Sequence, residues 1–509
     1  MKHLFDPTTL SLIVWRASRR ISILFFALFS LLACVSPELS AQQSNVKSDL
    51  THTPTVDSAN SYSGGPVSTP TAPPTAPPAP TLTASPTEPT APIPTAPSPA
   101  PTLTASAVEP TVTVQRTQQF GVRNPQGLPL AWFPSRHFEV GIGSGAFHAP
   151  NEEEHLIYVV TDNGPRHKCG QMSDKLGIAK AQLCPDDKKA QIAFVPTIYH
   201  LSLNQDGTAD VLEAIPVPHE LGSPIAGFDN LRRISKSDEQ QNEQLAEQLD
   251  IEALVRLSDG SFWLAEEKTP SLLHVTTEGQ ILERLGPNTE LEALSAASYT
   301  VEAVLPALLS ALYDQKGIEA LALSPDEQYL YFTTQAPLAH PSDTSSKESR
   351  QLRIFKFDWQ RQQVVATFLY LLDAADEYHT TDKQESVVVT AMAAARLDQL
   401  LLVERAKIQT RIYLVDLASA PPLDALYGDA AIRPTLEESS LDEIKAQGIQ
   451  PLAKQLLAEL ATLDTPKIEG LAIMNPNTLI LVNDTDFGKE GLDKPIIKLV
   501  LPQPITSDQ

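Results

Sequence analysis

The sequence is poor in sulfur-containing and in basic residues. Its 509 residues include 3 cysteines and 4 methionines, and 38 lysines and arginines stand against 62 aspartates and glutamates. So few cysteines exclude a cysteine-rich metal site. The formal net charge of -24 argues against nucleic acid or an anionic membrane surface as a partner. It fits an acidic protein whose charge serves either plain solubility or the collection of cations.

Several catalytic motifs are also missing from the sequence. There is neither a phosphate-cradling P-loop motif nor the helical motif of zinc proteases, and the 11 histidines show no ligand spacing. Ser144 stands near Gly141, Gly143 and Gly145. These glycines do not flank it at two residues on either side, as the nucleophile elbow of serine hydrolases requires. The sequence therefore disfavours a serine hydrolase.

The N-terminus has the pattern of a bacterial export signal. Basic residues precede an apolar run over residues 21–32, which is too short to cross a bilayer as a helix. Leu31-Leu32-Ala33-Cys34 is similar to a lipobox, in which Cys34 would become lipidated. The alternative is ordinary cleavage after Leu39-Ser40-Ala41. We predict a signal peptide over residues 1–41 and an exported protein of the periplasm, outer membrane or cell surface, attached to a membrane only through its signal or lipid anchor.

A linker follows the signal. Residues 42–110 consist mainly of proline, threonine, alanine and serine. This composition cannot bury a core and favours extended polyproline conformations. We therefore predict a disordered, Pro-rich stalk before a folded domain over residues 111–509.

The two remaining cysteines form an even pair. In an oxidising compartment Cys169 and Cys184 are candidates for a disulfide. Closing this short loop would contribute roughly 3 kcal/mol in the chain-entropy model. The alternative is two free thiols.

A repeated hairpin organises the folded part. Four copies align without a gap over residues 251–267, 318–334, 389–405 and 468–484, and a looser copy covers residues 143–162. Each copy reads as a strand, a turn and a second, more apolar strand. Further strand-like runs follow each hairpin, so the unit has four antiparallel strands. Such units repeated around an axis predict an all-β fold, a β-propeller of five or six four-stranded blades.

Two further features concern the edges of this fold. Residues 111–114 alternate like a short strand that could pair with the C-terminal strand over residues 496–500. Apolar residues at helical spacing predict a few helical insertions, over residues 291–313 and 451–463. We expect these helices to pack on the rim rather than to form a cofactor site.

Acidic residues recur at equivalent places of the repeat. Glutamates start the first strands, and acids end the second strands, where a hairpin brings them together. Like charges at close range are costly unless a cation or a network of donors lies between them. Hard oxygen ligands in flexible geometry suit Ca²⁺ better than Mg²⁺. We therefore predict a Ca²⁺ site from Asp162, Glu252, Glu319, Glu404, Glu469 and Asp484.

Neighbouring residues complete a candidate site for phosphoester hydrolysis. Glu267 or Asp486 would activate water, and Lys467 or Arg405 would steady the phosphate of a small phosphorylated substrate. The alternatives are that the acids bond backbone amides at the turns and that the bases are salt-bridge partners. We expect a monomer. The alternative function is a non-catalytic, calcium-stabilised propeller that binds a ligand or protein partner at the cell envelope.

The motifs together resemble the phytase-like family, known as "esterase-like activity of phytase". They are Asp162-Asn163-Gly164-Pro165, residues 262–267, residues 401–405, residues 467–471, and Asn483-Asp484-Thr485-Asp486-Phe487-Gly488. The resemblance covers roughly residues 141–501. It implies a propeller-type fold, an exported bacterial protein and acidic residues that serve phosphoester hydrolysis. Thr485 and Asn163 stand where the family usually has asparagine and arginine.

Overall fold

The computed structural model describes residues 115–123, 141–164, 166–176, 189–191, 195–217, 249–291, 294–295, 297–314, 316–460, 467–488 and 492–505. The predicted signal peptide with Cys34, the linker, the strand over residues 111–114 and Cys184 lie outside the described residues. Cys169 is disulfide-bonded. None of the described helices combines the length and the apolar character that a bilayer span requires.

The described residues form many short strands. In chain order these are β1 (Gln115–Val122), β2 (Gly145–Phe147), β3 (Leu156–Val160), β4 (Arg166–Lys168), β5 (Lys189–Gln191), β6 (Thr197–Leu203), β7 (Thr208–Pro216), β8 (Ile251–Arg256), β9 (Phe262–Glu266), β10 (Ser271–Val275), β11 (Ile281–Pro287) and β12 (Thr300–Leu305). They continue with β13 (Ile318–Leu323), β14 (Tyr329–Thr334), β15 (Gln351–Asp358), β16 (Gln363–Leu371), β17 (Val387–Arg396), β18 (Gln399–Ala406), β19 (Gln409–Asp416), β20 (Ala453–Leu460), β21 (Ile468–Asn475), β22 (Thr478–Asn483) and β23 (Ile496–Val500). Three short α-helices are also described, α1 (Cys169–Leu176), α2 (Asp343–Glu348) and α3 (Leu441–Ala446).

The strands pair in four larger sheets and one small one. Their orders are β2-β3-β6-β7-β1-β23-β22-β21, β12-β11-β10-β9-β8, β13-β14-β15-β16, β17-β18-β19-β20 and β4-β5. The eight-stranded sheet is two four-stranded groups, since β1 joins β7 through only two parallel pairs, Gly121 with Thr208 and Val122 with Ala209. Each predicted hairpin supplies the two inner strands of one group.

The innermost strands close into a ring. β2, β8, β13, β17 and β21 contact one another in succession, and β21 contacts β2. A buried apolar cluster fills the space between each pair of neighbouring groups. Between the β8 and β13 groups, for example, Trp263 and Phe332 are fully buried, and burying one such side chain contributes about 2 kcal/mol. The fold is therefore nearly all-β and propeller-like, as the repeat predicts.

The two ends of the domain meet in one sheet. β1 pairs antiparallel with β23, from Gln115 opposite Val500 to Phe120 opposite Ile496. The predicted pairing concerned residues 111–114, which lie outside the described residues, and the strand that pairs with β23 begins at Gln115. The first and last parts of the domain thus share one backbone ladder, which closes the ring.

The two predicted helical insertions are wrong. Residues 291–313 contain β12 and a short 3-10 turn at Ala307–Ser310, and residues 451–463 contain β20. β20 pairs with β19 through seven residue pairs, including Ile412 with Ala458 and Asp416 with Ala453. A strand in this position satisfies the outer edge of β19, and this pairing outweighs the helical spacing of the leucines.

Candidate functional site

A β-bulge recurs at the start of four innermost strands. The pairing skips one residue between Ile251 and Ala253, Ile318 and Ala320, Val389 and Ala391, and Ile468 and Gly470. The skipped residues are Glu252, Glu319, Thr390 and Glu469. A bulge leaves its residue outside the ladder and re-aims its side chain. Three of the four bulges therefore present a glutamate at the same level of the ring.

The second strand of each hairpin adds another residue at this level. Glu266, Thr334, Glu404 and Asn483 pair with the first residue of their hairpins. The next residues along the chain are Glu267, Gln335, Arg405 and Asp484. Successive side chains of a strand point to opposite faces. Glu266 and Glu404 therefore lie on the face opposite to that of Glu267 and Arg405.

Seven carboxyl groups gather at this end of the innermost strands. We call them the acidic ring: Asp162, Asp250, Glu252, Glu267, Glu319, Glu469 and Asp484. Burial first, and then the nearby carboxylates, raise the pKa of Glu252, Glu267 and Asp162 well above the usual range. The ring is thus a desolvated, strongly acidic site.

Three of these carboxyl groups could hold a metal ion. One oxygen each from Asp250, Glu252 and Glu267 lies within 4.8 Å of the other two. Asp250 Oδ2 lies 3.0 Å from Lys268 Nζ, and its Oδ1 accepts a hydrogen bond from the Asn163 amide at 3.2 Å. The donors are all hard oxygens, the type that Ca²⁺ and Mg²⁺ prefer. A cation among them would relieve the repulsion that raises the pKa of Glu252 and Glu267.

Basic side chains contact the opposite part of the ring. Lys467 Nζ bonds to Asp484 and lies 3.2 Å from Glu469 Oε2. Arg405 Nη2 donates to Glu469 Oε1 at 3.1 Å. The two bases predicted to steady a phosphate are therefore at the ring, where they form salt bridges with its acids. This is the alternative that the sequence leaves open for them.

Some ring carboxylates also fix the turns beside them. Asp484 Oδ1 accepts from the Asp486 amide at 2.7 Å, and Asp162 Oδ1 accepts from the Gly164 amide at 2.9 Å. Asp162 and Asp484 thus each use one oxygen in a local backbone contact. Asp484 Oδ2 also accepts from the Lys467 ammonium group.

Glu319 has one paired and one unpaired carboxyl oxygen. Its Oε1 accepts from Gln335 Nε2 at 2.7 Å, and its Oε2 is buried without a hydrogen-bond partner in the part of the chain that the structure describes. Burial and the charge of Glu469 raise its pKa to about 8, against the smaller opposing effects of Gln335, Arg405 and Lys467. Without a bound cation, this carboxyl group holds a proton near neutral pH.

The raised pKa of Glu319 predicts a pH-dependent stability. A raised folded-state pKa stabilises the fold below the ordinary value of 4.5, and this stabilisation is lost as the pH rises through about 8. With metal removed by a chelator, the free energy of unfolding in urea should therefore fall between about pH 5 and about pH 8. Glu319→Gln should make this slope shallower, while the other acids with raised pKa values keep part of it.

An exposed acid provides the control for this measurement. Glu278 lies exposed in the turn between β10 and β11, and Glu278→Gln should leave the slope as in the parent chain. An equal slope in the parent and in Glu319→Gln would contradict the assignment.

Two predicted site residues lie in different surroundings. Glu404 is fully buried on the other face of β18. It accepts from Tyr370 and Tyr378 at 2.8 and 2.7 Å and from Lys454 Nζ at 3.1 Å. These contacts separate it from the other predicted Ca²⁺ ligands, because the strand turns its side chain toward β16 and β20. Asp486 has a φ angle of 46°. It contacts the ring through the hydrogen bond that its backbone amide donates to Asp484 Oδ1.

Sequence reasoning missed Asp250 and Gln335. Asp250 directly precedes Ile251, just as Lys467 directly precedes Ile468 in its repeat. This equivalence with a predicted site residue could have identified Asp250 from the sequence. Gln335 was hidden because the ungapped alignment of the repeats is wrong by one residue. Ile318 pairs with Thr334, 16 residues on, whereas Ile251 pairs with Glu266, 15 residues on. The longer turn moves Gln335, not Thr334, to the place that Glu267 holds.

Comparisons with known proteins give a family and distant structural likenesses. The family model described as "Phytase-like: Esterase-like activity of phytase" matches residues 141–487. None of the curated proteins matches the chain. Among solved structures, a luciferin-regenerating enzyme is similar at 10% identity over 71% of this chain and 92% of that chain, with a TM-score of 0.30. The PQQ-bound aldose sugar dehydrogenase of Streptomyces coelicolor is similar at 10% identity over 70% of this chain and 79% of that chain, with a TM-score of 0.28.

Proposed function

The chain belongs to the phytase-like family, whose model matches most of it, and on this premise we propose that it is a metal-assisted phosphoester hydrolase. The observation that carries the proposal is the cluster of Asp250, Glu252 and Glu267, whose oxygens lie within 4.8 Å of one another. Family membership suggests a hydrolase, and this cluster supplies oxygen ligands in the most acidic part of the fold.

We propose Ca²⁺ as the metal, held by Asp250, Glu252 and Glu267. When bound, Ca²⁺ would polarise the phosphoryl group and orient an attacking water. Relative to the sequence prediction, Glu252 stays in the ligand set, and Asp250 and Glu267 enter it. The predicted ligands that leave the set are Asp162, Glu319, Glu404, Glu469 and Asp484. Ca²⁺ is preferred over Mg²⁺ because the carboxylates come from one strand, with Glu252 in β8, and from the loops before β8 and after β9, without strict octahedral placement.

The protein's own groups would bind the substrate and move the proton. Lys467 and Arg405, which contact Glu469 at 3.2 and 3.1 Å, would donate hydrogen bonds to the phosphate oxygens. Glu319 would exchange a proton with the attacking water or the leaving oxygen. Its pKa is about 8 in the metal-free protein, and a bound cation would lower this pKa toward neutral pH, where a general acid or base is most effective. Its unpaired Oε2 is the atom that would carry this proton.

The experiment is hydrolysis of a panel of phosphomonoesters and phosphodiesters by the full chain, with Ca²⁺ and with a chelator. We expect Ca²⁺-dependent turnover in the parent chain and a loss of about 100-fold or more in Glu267→Gln. Glu278→Gln, the same change at an exposed position of the same sheet, should keep full activity. Melting temperatures should show that the Glu267→Gln chain remains folded and that Ca²⁺ no longer stabilises it.

A second function is favoured by one observation. Lys268, Arg405 and Lys467 all contact carboxylates of the ring, so their charges are already matched without a phosphate. This arrangement suits a non-catalytic, calcium-stabilised propeller that binds a ligand or partner at the cell envelope. A Ca²⁺-dependent rise in melting temperature without turnover on any ester of the panel would select this function and contradict the hydrolase.

Two finer features belong to the proposal. We propose five blades, a count supported by the five innermost strands and by an apolar cluster between each pair of neighbouring groups. We also propose that the protein is exported and lipid-anchored through Cys34. This second statement is supported only by the pattern of the first 41 residues.

A further inference from the structure

An apolar cavity lies at the end of the innermost strands opposite the acidic ring. It has a volume of about 350 Å³ and is walled by the last residues of all five innermost strands. Leu323, Met392 and Met474 are typical of its lining. Its size is within the range of small-molecule sites.

The cavity is separate from the acidic ring. β8 contributes Glu252 to the ring and Arg256 to the cavity, and four residues of strand span roughly 13 Å. Leu254, Leu321 and Leu471 stand between the two levels on three of the innermost strands, and all three are buried. An occupant of the cavity would therefore meet this leucine layer instead of the carboxylates.

Arg256 gives the cavity wall a positive charge. Its guanidinium group lies 5.1 Å from the centre of the Tyr158 ring and 5.8 Å from that of Phe262, which holds it in place. Nη1 donates to Glu152 Oε1 at 3.3 Å, a long bond to a carboxylate that also accepts from Tyr158 at 2.8 Å. Arg256 Nε has no hydrogen-bond partner among the described residues. Arg256 therefore brings a positive charge to the wall that is paired with Glu152 through one long contact. The carboxylate of Glu327 in the same wall accepts from Ser258.

We propose that this cavity binds a small molecule with an apolar body and a carboxylate group, with the carboxylate against Arg256. The methionines, leucines and alanines of the wall would enclose the apolar body, and Met392 and Met474 can adapt their shape to it. A charge-assisted bond from the guanidinium group would fix the orientation of the carboxylate. This site is independent of the proposed hydrolase and of its metal.

The test uses 4-phenylbutyrate and its neutral analogue 4-phenylbutyramide as probes, titrated calorimetrically into the full chain. We expect the acid to bind more tightly than the amide. Arg256→Met should weaken binding of the acid at least about tenfold, which is about 1.4 kcal/mol, and leave binding of the amide unchanged. Arg361→Met is the matched control, because Arg361 is 76% exposed and lies outside the cavity wall.

A second variant keeps the test decisive if Arg256→Met folds poorly. Ala394 is a half-buried wall residue of β17, and Ala394→Phe should fill the cavity and abolish binding of both probes. Its Ca²⁺ response should match that of the parent chain, because Ala394 is not part of the acidic ring. Unchanged binding of the acid in Ala394→Phe, or no binding of the acid to the parent chain, would overturn the proposal.

Discussion

Replacing Arg284 with methionine is expected to destabilise the protein by about 3 to 5 kcal/mol. Arg284 and Glu266 are both fully buried, and Arg284 Nη2 lies 2.7 Å from Glu266 Oε2. Burial raises the pKa of Glu266, and Arg284 is the main influence that opposes this rise. Without the guanidinium group, the carboxylate is left buried and unpaired. Urea unfolding of the two chains measures the loss directly.

The same network supports the candidate metal ligands. Glu266 accepts from the amides of Thr269 and Asp250 at 2.8 and 3.3 Å, so it fixes the backbone on both sides of the cluster. Arg284→Met should therefore also reduce the stabilisation by Ca²⁺. This second effect is measured as a smaller rise in melting temperature on addition of the ion.

A double variant separates the buried charge from lost packing. In Glu266→Gln/Arg284→Met no charge is left buried, so most of the lost stability should return. Arg361→Met removes an exposed arginine from its pair with Asp358 and should leave stability nearly unchanged. If the single and double variants are equally unstable, the loss comes from packing and the account of the pair is wrong.

The sequence predicted the hairpins, their order and further strands after each hairpin, but it predicted helices where β12 and β20 lie. The inner strands carry strong apolar runs, such as residues 262–265 and 400–403, because neighbouring groups bury them on both faces. β20 lies at the outer edge, and the spacing of its three leucines, Leu456, Leu457 and Leu460, suits a helix equally well. Its pairing with β19 decides its conformation, and this long-range contact cannot be detected from the hydrophobic spacing within a short stretch of sequence.

The acids of the site could be predicted as a group, but not which way each one faces. Glu266 and Glu267 are neighbours in the sequence, yet Glu266 forms a salt bridge with Arg284 and Glu267 is part of the acidic ring. A one-residue shift in register exchanges the two faces of a strand, and the bulges at Glu252, Glu319 and Glu469 supply such a shift. Bulges and turn lengths depend on how strands meet in the fold. For this reason the sequence did not indicate that Glu404 faces away from the ring, and it missed Gln335.

The bulges also explain how one scaffold produces a concentrated acidic site. Each bulge places its residue outside the ladder at the same level of the ring, and three of the four positions are glutamates. The fourth is Thr390, whose hydroxyl donates to the carbonyl of Ile468 at 2.7 Å. This bond ties β17 to β21, so the position that lacks an acid joins two neighbouring strands instead.

Replacing Gly317 with alanine is expected to cost about 3 kcal/mol of stability and to abolish stabilisation by Ca²⁺. A Cβ atom at this position would overlap the carbonyl oxygen of Glu267 and lie 2.7 Å from its carbonyl carbon. These are backbone atoms, which cannot rotate away as a side chain would. Relief requires a shift of Glu267, a candidate metal ligand, or of Gly317, whose carbonyl accepts from the Gln335 amide at 2.9 Å.

Gly428→Ala provides the matched control, because a Cβ atom there meets nothing within 4 Å. We expect that variant to unfold in urea within about 0.5 kcal/mol of the parent chain. Melting curves of both variants with Ca²⁺ and with a chelator then report on the cluster itself. A Gly317→Ala chain that is less stable but still gains the parent's full Ca²⁺ stabilisation would show that Glu267 is not a ligand. The metal would then have to be held by other acids of the ring.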